Sequence, residues 1–339
     1  LSRAQRYDGL LFSAYPNTRP NIIPTFSLYY ILMLHDHMLY FAEEKLIKKY
    51  MPILEKILFF FEESLNEQGL VRKIGGFHSQ GGLWSFIDWV REWPEGVPPA
   101  ISQGSLTMES LLYLLALQKA AELADFLKRQ DQARDYRRLE NKLKKAILQH
   151  CQAPNGLIQD GPGVATYSQH CQVFAVLTGL LDADIARNNL LQTMKYPTRF
   201  AQCTVSMSLY LFEALRKVGL YEKTNDCWQV WRSMIEHSLT TCAESNPDED
   251  ARSDCHAWGA LILYELPAVI LGVRPLEAGY RKVLIAPEIG YLTWAKGKVW
   301  TPKGWIMVSW IKQTDGSLNL SYQVPEGVEV ELSLEEKKK

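Results

Sequence analysis

Glu244 and His256 stand at the two ends of one stretch, TTCAESNPDEDARSDCHAW (240–258), which also holds Asp248, Glu249, Asp250, Asp254 and Trp258. Glu244 opens a long loop, and His256 falls in the first turn of the apolar helix that follows. Ser253 or Asp254 is the expected N-cap of that helix, and its positive end disfavours an imidazolium at His256. A carboxylate and a neutral imidazole so placed can activate a water and hold a hydroxyl group. The acidic middle, Asp248 to Asp250, reads as a hydrated loop. Asp248, Asp250 and Asp254 match no calcium-loop spacing and lack its turn glycine, and Cys255-His256 has no second pair at zinc-ligand spacing. No metal and no cofactor are expected.

WSFIDWV (84–90) places Trp84, Phe86 and Asp88 at alternate positions, with Trp89 adjacent. A carboxylate between indole rings can grip the hydroxyls of a sugar whose apolar face stacks on the rings. The same residues also suit an aromatic loop packed over a helical core, with Asp88 as a cap or ion-pair partner and Trp93 structural. TYSQH (166–170) opens another inner helix and directs Tyr167, Gln169 and His170 to one end. No oxyanion motif accompanies Ser168 and His170, so His170 reads as a buried, satisfied histidine. His35 and His37 sit mid-helix facing different sides and read as structural.

The rest of the chain must hold these groups in place. Its 339 residues are 47% hydrophobic and 22% charged with a formal net charge of -1, the balance of a soluble globular protein with a large core. No Lys/Arg block marks nucleic acid or an anionic membrane as partner. Six cysteines without CxxC pairs read as buried thiols, and with no secretory signal or membrane-length apolar run the expected location is cytoplasmic. Ten Trp, 16 Tyr and 12 Phe, several in Gly/Pro-rich surroundings, raise carbohydrate as a ligand class.

Apolar spacing of three and four predicts nine helices, at 25–41, 43–65, 105–127, 131–150, 167–180, 184–193, 202–218, 221–237 and 255–271. Short links alternate with long ones at 66–104, 151–166, 194–201 and 238–254. Hairpins joined by long loops place every long loop at one end, where a site forms. Helix 105–127 is apolar nearly all round, as an inner helix should be, and 131–150 is amphipathic, as an outer one should be. The pattern is that of an (α/α)6 toroid over 1–273, nine helices of the full twelve and so incomplete at its N-terminus. After Gly279 the period changes to short β runs with Gly, Pro and Asp-Gly turns, predicting a small antiparallel β-sandwich domain over 274–339 that ends in a frayed EEKKK.

TTCAE…RSDCHAW (240–258), LGVRPLEAGYRKVLIAPEIGYLTWAKGKVWTPKGWIMVSW (271–310), WSFIDWVREWPEGVPP (84–99), NIIPTFSLYY (21–30) and TYSQHCQVFAVL (166–177) together resemble the bacterial α-L-rhamnosidases of glycoside hydrolase family 78, in the same order along nearly the whole chain. The resemblance implies inverting hydrolysis of terminal α-L-rhamnose, with two carboxyl groups on opposite sides of the sugar. It implies that Glu244 is the general base, with Ala243 where many members have Trp, and that His256 contacts the sugar. Trp84, Asp88 and Trp89 fall in the family's sugar-binding loop, and Trp258 joins the stacking wall. The family's general acid lies in an Arg-Glu motif before the equivalent of 21–30, and nothing in 1–20 supplies it. The expected partner is therefore a rhamnose-containing oligosaccharide or glycoside. Two rivals are another inverting toroid glycosidase with Asp88 or Glu92 as its acid, and a non-catalytic sugar-binding descendant.

Overall fold

A computed structural model describes residues 4–18, 20–249 and 253–333. Asp250 and the terminal EEKKK lie outside the described residues. The chain forms two compact units, each discontinuous in sequence: Leu1–His35 with Lys45–Leu220, and Asp36–Glu44 with Tyr221–Lys339. Helix α1 (Pro24–Phe41) therefore gives its first part to one unit and its last turns to the other.

In the first unit, α1 is followed by α2 (Glu44–Glu63), α3 (Thr107–Phe126), α4 (Gln130–Cys151), α5 (Gln169–Leu177), α6 (Ala183–Lys195) and α7 (Ser208–Lys217). α4 buries Ala133, Tyr136, Leu143, Ile147 and Cys151, one apolar stripe at helical spacing. In α3 the buried residues run round the whole helix, from Met108 to Ala124. α3 packs on α4 and α5, and α5 on α6 and α7, so α3, α5 and α7 form an inner row with α4 and α6 outside. Tyr29 of α1 stacks on Tyr210 of α7 at 5.8 Å, and buried His35 of α1 bonds Glu122 of α3 at 2.6 Å. α5 begins where Ser168 accepts a hydrogen bond from the Cys171 N–H, the cap its sequence announces. The helix expected over 202–218 is shorter, because 205–207 form a 3-10 turn ahead of α7.

In the second unit the helix expected over 221–237 is broken at the buried Trp228 into α8 (Thr224–Cys227) and α9 (Gln229–Glu236). The one expected over 255–271 changes type twice. A 3-10 turn (Ala257–Leu261) leads into α10 (Ile262–Tyr264) and then a π-helical segment (Glu265–Ile270). Pro267 has no N–H to donate, so the ladder shifts register there, and the Leu271 N–H reaches back five residues to the Leu266 carbonyl at 2.9 Å. Within the same segment, Glu265 accepts a hydrogen bond from Tyr221 Oη at 2.8 Å.

The remainder folds into two three-stranded sheets. One contains β1 (Val273–Pro275), β2 (Lys282–Ile285) and β6 (Glu329–Leu332); the other contains β3 (Trp294–Thr301), β4 (Gly304–Lys312) and β5 (Leu318–Gln323). All neighbours are antiparallel except β2 and β6, which run parallel. That pairing is open to them because the whole second sheet lies between them in sequence, long enough for a crossover. Val283, Ile285, Val299, Ile306, Val308 and Trp310 share one core with Ala268 to Leu271. Trp310 is pinned there by its indole N–H, which donates to the Ile270 carbonyl at 2.8 Å.

Candidate active site

Two helix starts and a loop in the first unit are tied together by Asp88. Its Oδ2 accepts from His170 Nε2 and the Thr204 N–H, each at 2.8 Å, and its Oδ1 accepts from the Trp89 N–H, Thr204 Oγ1 and Ser206 Oγ. His170 lies in the first turn of α5, and Thr204 and Ser206 just precede α7. A carboxylate offers about four lone-pair positions, so five donors saturate it. Burial works against ionisation of Asp88, but the hydrogen bonds from His170, Ser206 and Thr204 outweigh it and hold its pKa below the usual aspartate value. Asp88 is fully shielded from solvent. The expectation of a sugar-gripping Asp88 meets a carboxylate with no acceptor position left, and its alternative, a partner locking the aromatic loop, matches the geometry. Gln169 is likewise engaged by Thr193 Oγ1 and the Cys203 N–H, whereas Tyr167 is half-buried against Phe200.

The aromatic loop is a cluster. Trp84 packs on Phe86 at 5.0 Å and on His78 at 4.9 Å, and Phe86 packs on Trp89 at 4.9 Å. The Trp84 indole N–H donates to the Glu95 carbonyl at 3.0 Å. Gly96 adopts φ +69°, and a Cβ there would lie 2.4 Å from the Phe86 ring, so only glycine lets the loop close this tightly. Trp84 is 9% exposed and Trp89 38%, so Trp89 is the ring with a face open to a ligand. Trp93 is buried against His170, ring centroids 4.8 Å apart.

In the second unit Glu244 and His256 are held by their backbones. The Glu244 N–H donates to Ser253 O at 2.8 Å, and the Glu244 carbonyl accepts from the Trp258 indole N–H at 2.9 Å. The His256 N–H donates to Cys242 O at 2.8 Å, and the His256 and Trp258 rings stack with centroids 3.8 Å apart. Glu244, His256 and Trp258 are thus brought together in one turn, with Glu244 buried and the other two half-buried. The N-cap is His256 itself rather than Ser253 or Asp254: its Nδ1 accepts from the Trp258 N–H at 3.4 Å, while the Ser253 hydroxyl is turned to the Cys255 N–H. With Nδ1 accepting, the proton of the neutral ring sits on Nε2 as a donor. Gly259 permits the close approach, since a Cβ there would stand 2.2 Å from the Ala243 carbonyl, and the Trp231 indole N–H donates to the Gly259 carbonyl at 2.8 Å.

The acidic middle of the loop is not uniform. Asp248, Glu249 and Asp254 are all exposed, but Asp248 also accepts from Ser233 Oγ of α9 at 2.9 Å and has His237 Nε2 3.7 Å away. Among the described residues no group of three His, Cys, Asp or Glu side chains is placed to hold a metal ion.

Glu109 is a buried group that sequence reasoning passed over. It lies in the first turn of α3, fully shielded, and neither carboxyl oxygen meets a hydrogen-bonding partner. Burial pushes its pKa up to about 8, offset only in part by the nearby Ser85 hydroxyl. The signal available was one glutamate in the stretch TMESLLYLLALQ (107–118), which carries no other charge.

Hairpins with an inner row of helices, side chains gathered at the inner helix starts, and a β domain after the last helix define the architecture of the six-hairpin glycosidases. The chain belongs to the bacterial α-L-rhamnosidases: residues 1–270 match the bacterial alpha-L-rhamnosidase 6 hairpin glycosidase domain, and 272–339 match the bacterial alpha-L-rhamnosidase C-terminal domain. It is similar to the GH78 family rhamnosidase of Bacillus sp. GL1, with a TM-score of 0.83 and 27% identity over 97% of this chain and 35% of that one. The alpha-L-rhamnosidase of Streptomyces avermitilis, solved in complex with L-rhamnose, shares the fold at a TM-score of 0.72 with 18% identity, over 98% of this chain and 32% of its own. An alpha-L-rhamnosidase of Formosa agariphila is 24% identical over 271 residues, 74% of this chain and 28% of that protein. The chain thus spans about a third of the solved relatives' length. Among the described residues no helix is long and apolar enough to cross a membrane.

Proposed function

We propose that this chain carries the water-activating half of an inverting α-L-rhamnosidase site, in a protein that removes terminal α-L-rhamnose from an oligosaccharide or glycoside. The observation that carries the reading is the turn joining buried Glu244 to His256 and Trp258. Glu244 takes the proton from a water attacking the anomeric carbon; His256 donates from Nε2 to a sugar hydroxyl, and Trp258 offers a ring face. Asp88 acts through others, holding the starts of α5 and α7 and the loop that carries Trp89.

The acid that protonates the leaving oxygen is assigned to residues outside this chain. Asp8 is the sole carboxylate before His35, and it is engaged by Arg6 at 2.9 Å and by the Leu10 N–H. The test is hydrolysis of aryl α-L-rhamnoside by the full gene product and by the 339-residue chain. The reading expects turnover by the first, lost on Glu244→Gln, and very little by the second. Robust turnover by the chain alone would overturn the assignment of the acid. Cleavage of a glucoside or glucuronide but not a rhamnoside would favour a different toroid glycosidase, and rhamnose binding without turnover by the full product would favour a non-catalytic sugar binder.

A further inference from the structure

The sheet β3–β4–β5 buries one face and leaves the other bare. Val299, Ile306, Val308 and Trp310 point into the core, so the alternate positions point out. Along β3 these are Trp294, Lys296, Lys298 and Trp300, and all four are exposed. Their partners on β4 are Ile311, Ser309, Met307 and Trp305, and beyond these on β5 stand Asn319, Ser321 and Gln323. Trp294 is 65% exposed, and Trp300 and Trp305, which face each other across the strands, are 56% exposed each.

Three bare tryptophans on one sheet face need an explanation, because large apolar side chains left in water mark binding surfaces. The face is not a continuous apolar patch of the kind a protein partner covers. Trp294 with Ile311 at one end and Trp300, Trp305 and Met307 at the other are separated by Lys296, Lys298, Ser309 and Ser321, and Asn319 and Gln323 border them on β5. The outward positions carry two cations and no carboxylate, and neither lysine has an ion-pair partner among the described residues. Trp294 and Trp300 are six residues apart on one strand, a rise of roughly 20 Å at the usual spacing. A ladder of ring, cation, cation, ring suits an extended ligand that presents apolar ring faces at intervals and negative charge between them.

We propose that this face binds an acidic polysaccharide, with uronate carboxylates meeting Lys296 and Lys298 and sugar rings stacking on Trp294, Trp300 and Trp305. Indole faces supply the stacking, and lysines act as point charges for carboxylates. The inference goes beyond the hydrolytic reading: Glu244, His256 and Trp258 take no part in the face, and binding there survives loss of turnover.

The test is native electrophoresis of the 339-residue chain through gels containing polygalacturonate, beside gels containing hydroxyethylcellulose or dextran sulfate. Polygalacturonate should retard the chain, and hydroxyethylcellulose should not. Trp294→Ala with Trp300→Ala should weaken the apparent affinity about tenfold or more, with the circular dichroism spectrum unchanged. Lys296→Gln with Lys298→Gln should weaken it and flatten its dependence on salt. No retardation by polygalacturonate would overturn the proposal. Retardation that the tryptophan changes leave intact and dextran sulfate reproduces would reduce it to general polyanion attraction and overturn it, and equal retardation by hydroxyethylcellulose would remove the role of charge. Concentration-dependent dimerisation abolished by the tryptophan changes, with no glycan retardation, would assign the face to a second copy of the chain and overturn the proposal as well.

Discussion

His170 Nε2 donates to Asp88 Oδ2 at 2.8 Å with both side chains closed off from solvent. The ring's other nitrogen meets no hydrogen-bonding group, and Trp93 covers the imidazole. The pair therefore depends on its partners at Thr204 and Ser206, and each side chain is costly to leave without the other.

Asp88→Ala should destabilise the chain by roughly 3–5 kcal/mol, the cost of breaking a buried, hydrogen-bonded pair from one side. Urea unfolding measures it. A loss under about 1 kcal/mol would show that the five hydrogen bonds are replaced by solvent.

The same group sets an acid limb. The pKa of Asp88 is lower in the folded chain than in the unfolded one, so at low pH the unfolded state binds more protons. Its contribution is present above the ordinary aspartate pKa and is lost as pH falls through the folded value. Asp88→Asn should lower stability at neutral pH and flatten the acid limb, as followed by thermal unfolding from neutral to acid pH.

Glu109 acts in the opposite sense. With a folded pKa of about 8, it keeps a proton that the unfolded chain releases near the ordinary glutamate value. Between those two values stability falls by roughly 1.4 kcal/mol per pH unit, up to about 4–5 kcal/mol in all, and then levels off. Glu109→Gln mimics the protonated form, so it should be near neutral at pH 5 and clearly stabilising at pH 8. Equal effects at both pH values would show that the carboxyl is ionised throughout.

Glu244→Gln in the full gene product should lower kcat by about 10²–10⁴-fold with KM little changed, the signature of a lost general base. His256→Asn separates two roles of one side chain. Asparagine is a good N-cap, so the turn at 257 should survive, while the Nε2 donor is lost and KM should rise about tenfold.

Gly259→Ala places a methyl group 2.2 Å from the Ala243 carbonyl, so the backbone at 243 and 244 must move. The cost should be about 1–3 kcal/mol, with a fall in kcat, because Glu244 is displaced without being altered. Unchanged kcat in the folded variant would show that the position of residue 244 tolerates such a shift.

Helices such as α3 and α4 are legible because their apolar spacing is set by packing on one side or on all sides, which is a property of the local sequence. The link from Glu244 to Trp258 is closed by near neighbours, yet its cap is not legible, since His256 rather than Ser253 or Asp254 takes it and a 3-10 turn follows. Nor is the role of Asp88, since its partners lie 82, 116 and 118 residues away in sequence and nothing in WSFIDWV names them. Glu109 at the start of a helix looks like an ordinary favourable charge near the positive end, and only burial reveals otherwise. The π-helical segment follows from Pro267, yet periodicity alone runs a regular helix through it because the apolar residues on both sides keep helical spacing.

The split of α1 bears on how the gene can be cut. Residues 36–44 belong with 221–339, and Tyr40 sets its ring edge-on against Tyr280 at 5.7 Å. A single scissile junction near 220 would strip the C-terminal piece of that ring and expose the core beneath it. Recombination at such a junction would therefore yield a truncated product needing residues 36–44 supplied in trans or grafted on.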